Sequence, residues 1–146
     1  MMSLQNLLGI SLDRLTPDKS QIAKLLAAAQ RNVADAQISG LSSENQFDTA
    51  YKAVMQLAML ALNANGYRTL TSKPGHHQTA IQTLGLTIGL TPERVRLLDA
   101  MRKLRNLSDY SGDLVSDAAV TECLASAKGL MADVVNWLAK TKPELI

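Results

Sequence analysis

The residues best equipped for chemistry fall in one short stretch, RKLRNLSDYSGD, at positions 102–113. Two arginines three positions apart, Arg102 and Arg105, can hold a phosphate or carboxylate through forked hydrogen bonds. Asp109 follows Arg105 at the i to i+4 spacing, so it can pair with that arginine and orient it. Asn106 and Tyr110 add an amide and a phenol. On a helical wheel of about 100° per residue, Arg94, Arg102, Arg105 and Asp109 share one narrow stripe, with Val95 and Leu98 in or beside it. Asn106 and Tyr110 lie on its far side. Apolar side chains among arginines point to a face partly covered by another helix or a second subunit. The plain alternative is a solvated helix end, where an Arg105–Asp109 pair contributes only about 0.3–0.5 kcal/mol. Sequence alone leaves both open.

His76 and His77 are the second candidate. Adjacent positions on a helix point about 100° apart, so the two imidazoles are poorly placed to share a metal, and the lone Cys123 offers no thiolate cluster. No metal site is expected, and nothing implies a cofactor. In GHHQ the histidines follow a glycine at a predicted helix start, where backbone amides and the helix dipole favour an anion and a neutral imidazole. A capping or packing role is the alternative. The glycine-rich phosphate loop, the nucleophile elbow and the i to i+4 histidine pair are all missing, which removes the common nucleotide-binding, hydrolase and zinc-protease signatures.

The elements that must position these residues read as helices. Aromatics are only 3% of the chain while 47% of residues are hydrophobic, mostly Ala, Leu, Val and Met, a composition that favours helix over strand. Thr16, Pro17 and Asp18 predict an N-terminus, after which Ile22, Leu25, Leu26, Ala29, Val33 and Ala36 mark an inward stripe up to a break near Gly40. Ser43 and Gln46 have capping-box spacing, and Gly66 is placed to close the helix they open. That second helix, apolar nearly all round, is predicted to be central. A shorter helix is expected between Pro74 and Gly89, burying Ile81, Leu84 and Ile88. Thr91 and Pro92 open the helix that carries the arginines, with Leu97, Ala100, Met101, Leu104 and Leu107 predicted inward. A last helix runs over about residues 116–140 with Val120, Leu124, Ala127, Met131, Val134 and Leu138 inward.

These helices predict an all-α fold, an antiparallel up-and-down bundle of four main helices with a short N-terminal segment. The chain reads as a single domain over residues 1–146, with 1–15 an extension and 16–140 the bundle. A formal charge of +2 is too small for a protein that coats nucleic acid. One cysteine excludes an internal disulfide framework and fits a reducing, cytoplasmic setting. No signal peptide and no membrane span are expected.

Three segments together resemble the HEPN domain family of small prokaryotic helical proteins. FDTAYKAVMQLAMLALNANGYR is similar to the family's central helix, GHHQTAIQTL to the segment after it, and RKLRNLSDY to its Arg-Asn motif helix in a variant ending Asp-Tyr. The resemblance covers residues 46–110 in the family's order. It implies a helical bundle, commonly a homodimer in which two motif helices face a shared cleft. Family members include metal-independent RNases, among them toxins of toxin–antitoxin pairs, and non-catalytic modules that accompany nucleotidyltransferases.

In the family's catalytic pattern an arginine is followed four to six residues later by a histidine. Arg105 matches the arginine, and Tyr110 stands where the histidine belongs. A tyrosine with an ordinary pKa of about 10 is a poor general base near neutral pH. The expectation is therefore a non-catalytic module that binds RNA, a nucleotide or a partner protein, with Arg102, Arg105 and Asn106 gripping an anion and Asp109 orienting the arginines. Two alternatives stand beside it. One is a metal-independent endoribonuclease using Arg105 with His76, His77 or Tyr110. The other is a structural helical dimer. The implied partners are a second copy of the chain and a nucleotidyltransferase or antitoxin.

Overall fold

The computed structural model describes residues 3–72, 74–112 and 114–146, with the Tyr110 side chain outside that description. It is mostly helical, with one small sheet. In chain order the elements are β1 (Leu12–Arg14), α1 (Lys19–Asp35), α2 (Ser43–Ala64), β2 (Tyr67–Thr69), α3 (His76–Gln82), α4 (Leu84–Thr87), α5 (Pro92–Ser111) and α6 (Asp117–Thr141). Single 3-10 turns at Gln5–Leu7 and Pro143–Leu145 flank them.

α2 is the centre of the core. Leu57, Leu60, Leu62, Val54 and Ala61 are fully buried along it because α1 covers one side and α6 another. Each buried leucine stabilises the fold by about 1.5–3 kcal/mol. Side-chain hydrogen bonds hold these neighbours in register. Asn32 Nδ2 donates to Gln56 Oε1 at 2.7 Å between α1 and α2, and Ser43 Oγ donates to Asp117 Oδ1 at 2.9 Å between the starts of α2 and α6.

Helix starts depart slightly from expectation, for a common reason: the best available side-chain acceptor takes the cap. α1 is capped by Asp18 rather than Thr16, its carboxylate accepting from the Ser20 amide, which moves the start past Pro17. α2 is capped by Ser42, one residue before the predicted Ser43, through the Asn45 amide. Thr91 and Ser116 cap α5 and α6. α2 closes at Gly66, whose φ of +89° suits glycine. The Gly66 carbonyl then accepts from the Leu15 amide at 2.9 Å.

That turn delivers the chain into β2, which the sequence reading did not foresee. β1 and β2 pair antiparallel, Leu12 opposite Thr69 and Arg14 opposite Tyr67. Leu12 is fully buried, so the N-terminal residues are anchored to the helical core rather than appended to it.

The inward face of α5 is a further correction. Met101 is buried as expected and Leu98 joins it, whereas the predicted Leu97 and Leu107 are 38% and 55% exposed and Ala100 is exposed as well. The face richer in arginine turns inward because arginine stems bury well while their heads reach carboxylates. Arg94 does this with Asp133 of α6, lying over Gly129, and Arg102 with Asp99. In α6 the buried line runs through Cys123 and Leu130, with Leu124 and Met131 only half-buried.

Candidate functional site

One stripe of α2 remains uncovered by α1 and α6 and forms the floor of a groove of about 450 Å³. Asp48, Tyr51, Met55, Met59 and Asn63 succeed one another along it at steps of three or four residues, which puts them on one face. α1 supplies Gln21 and Leu25 to one wall, β2 and its exit supply Thr69 and Thr71, α3 supplies His76 and His77, and α5 supplies Arg105. Gly75, with φ of +82°, turns the chain into α3 and brings both histidines to the wall.

At one end of the groove three side chains stack in sequence. The Arg105 guanidinium carbon lies 5.5 Å from the centre of the Tyr51 ring. The Tyr51 hydroxyl lies 3.4 Å from Nδ1 of His77. The His76 and His77 rings meet edge to face with centroids 4.8 Å apart. Arg105 Nε also donates to Asp48 Oδ1 at 3.2 Å and lies 3.2 Å from Asp109 Oδ2. Arg105 and Asp48 are shared with a smaller adjoining pocket of about 130 Å³ that includes Asp109 and Ser108.

Burial pushes the Tyr51 phenol up to about 12, against a smaller opposing effect of Arg105, so the hydroxyl keeps its proton. His77 is shifted the other way. Partial burial, then His76, Arg105 and Arg102, hold its pKa below the ordinary histidine value, so the imidazole is neutral near pH 7. The Tyr51 hydroxyl and Nδ1 of His77 share one hydrogen bond, whose direction follows the imidazole tautomer. The result is a neutral imidazole and a protonated phenol beside a cation.

The residues singled out in the sequence divide into two groups. His76, His77 and Arg105 are brought to one groove, and Asp109 pairs with Arg105 from the adjoining pocket. Arg102 does not line the groove. Its Nε donates to Asp99 at 2.8 Å, both side chains are largely buried, and it acts on His77 and Tyr51 only through its charge. Asn106 is half-buried and also does not line the groove. Tyr110, the motif's terminal residue, has its side chain outside the described residues.

The forked grip of Arg102 and Arg105 on one anion is therefore not the arrangement found. Arg105 faces the groove with the carboxylates of Asp48 and Asp109 beside it and Lys52 on the same lining, so two cations meet two carboxylates and the local formal charge is balanced. Tyr51, missed as a site residue because it reads as one more core position of α2, is the link between Arg105 and His77. Among the described residues no three His, Cys, Asp or Glu side chains gather to hold a metal ion. None of the helices described is long and apolar enough to cross a membrane. Neither a family model nor a curated protein matches this chain.

Proposed function

We propose that this chain is a non-catalytic HEPN-like module, an antiparallel helical bundle whose groove along α2 binds a nucleotide unit, free or within an RNA strand. The observation that carries this reading is the row Arg105–Tyr51–His77 on the wall of one groove. A guanidinium beside a largely apolar slot provides a contact for a phosphate and a surface for a base. The balanced charge around Arg105 fits one or two phosphate contacts better than a long electrostatic track.

A metal-independent endoribonuclease is the second reading, and the histidines favour it. His77 is neutral near pH 7 and shares a groove with Arg105, so a base and a cation for a phosphorane stand within one site. Against it, the group hydrogen-bonded to His77 among the described residues is a phenol that keeps its proton.

Incubating the protein with single-stranded RNA in EDTA, beside Arg105→Ala, separates the two. Binding with the RNA left intact is expected. Cleavage that disappears in Arg105→Ala would establish the nuclease instead.

The homodimer belongs to the same proposal. α5 turns Leu97 and Leu107 outward, and Leu114 beyond its end is 86% exposed, an apolar strip suited to a second copy. The proposal extends to a nucleotidyltransferase or antitoxin partner, which co-purification with the product of the adjacent gene tests.

A further inference from the structure

The two ends of the groove differ chemically. Arg105 and the histidines mark one end. At the other, 12 residues further along α2 from Tyr51 and so about 18 Å away, stands Asn63. Asn63 is 8% exposed, and its Oδ1 is buried with no hydrogen-bond partner among the described residues. Among the described residues the other buried polar side chains, Thr69, Thr83 and Thr87, each have a partner: the Met59 sulfur, the Thr79 and Ala80 carbonyls, and the Leu84 carbonyl. Asn63 also lines a second cavity, of about 410 Å³, that continues from the groove toward Arg68. An amide left incomplete where two cavities meet, on a helix otherwise buried through apolar residues, serves packing less well than leucine would.

Resting on the nucleotide reading above, we propose that Asn63 is the base-selecting residue of the groove and takes the amino-bearing edge of adenine. The carboxamide is nearly symmetric in shape, so a half-turn of its end exchanges oxygen for nitrogen at the cavity without new packing. Its oxygen then faces the cavity and accepts from the 6-amino group. Met59 and Met55 supply polarizable, adaptable surface for the base faces between the two ends. The distance to Arg105 exceeds the reach of a mononucleotide, so a short strand engages both ends together.

The test compares two trinucleotides, ApApA and its counterpart made from purine riboside, which lacks only the 6-amino group. Affinities are measured by calorimetry on the wild type and on Asn63→Leu. The wild type is expected to bind ApApA about tenfold more tightly than the amine-free strand, the discrimination of one good base contact. Asn63→Leu is expected to bind both strands equally and to melt about 3 °C higher, because an unpaired buried acceptor is gone. Equal wild-type affinity for the two strands overturns the role of Asn63 and leaves the nucleotide reading intact, whatever the folding of the variant. A lower melting temperature for Asn63→Leu, or a preference that survives in it, assigns the amide to the fold and also overturns the role. Failure of both strands to bind the wild type removes the nucleotide reading, and this inference with it.

Discussion

Replacing Arg105 by alanine disturbs three contacts at once, and their sizes can be set separately. The two carboxylates it meets through Nε are about half exposed, at 45% for Asp48 and 52% for Asp109, so each pair is screened and contributes about 0.5 kcal/mol. The cation over the Tyr51 ring adds about 0.5 kcal/mol at this partly exposed site. The expected loss is about 1.5 kcal/mol, a fall of about 3–6 °C in melting temperature for a chain of this size. The substitution has a second, local consequence. Arg105 is one of the charges that hold His77 below its ordinary pKa, so its removal lets the imidazolium form more readily and the pKa rises. It stays below the ordinary value, because burial and His76 remain. Proton NMR of the His77 ring across a pH titration reads this shift, and calorimetry reads the melt. An unchanged His77 titration in a folded Arg105→Ala protein would refute the placement of the two residues on one groove wall.

Three further outcomes follow from the same geometry. The unfolded chain takes up a proton on His77 near pH 6.5, which the folded chain resists, so stability falls as pH drops below about 6.5 and levels off beneath the folded pKa. Thermal melts of His77→Gln over that range should show a shallower fall, and an identical pH profile would exclude this contribution. RNA affinity should depend only weakly on salt, with a log–log slope of about −0.7 to −1.4 for one or two phosphates, and a slope several times steeper would point to a basic track elsewhere. Leu97→Glu with Leu107→Glu should convert a dimer to a stable monomer in light scattering while moving the monomer's stability by less than about 0.5 kcal/mol, since both side chains are outward. An unaffected dimer would place the interface on another face.

The helices were legible in the sequence because their caps and apolar repeats are local signals. Gly40 and Gly66 fall where predicted breaks fall, and both adopt positive φ. The β1–β2 pair was not legible. Each strand has three residues, too few for alternation to register, and their pairing depends on contacts more than fifty residues apart. The rotation of α5 was misread for a different reason. Leu97, Met101, Leu104 and Leu107 look like a core stripe, yet arginine stems with nearby carboxylates competed successfully for part of the inward side, and only Met101 of the four is buried. Within the site, the chemistry-bearing types at His76, His77 and Arg105 were visible, and their meeting in one groove was not, because it depends on α3 and α5 packing on each other and on α2, contacts between segments distant in the chain. Tyr51 and Asn63 carried a faint signal: they are polar-tipped positions on an otherwise apolar helix, joined through Met55 and Met59 by steps of four residues.

A nitrogen–proton correlation NMR titration of the labelled protein with a short adenine-rich RNA in EDTA, with the RNA recovered and sized afterwards, tests the account most directly. The expected result is shifts concentrated at Tyr51, Met55, Met59, Asn63, His76 and His77, with the RNA recovered whole. Shifts confined to surfaces away from α2 and α3, or shortened RNA, would contradict it.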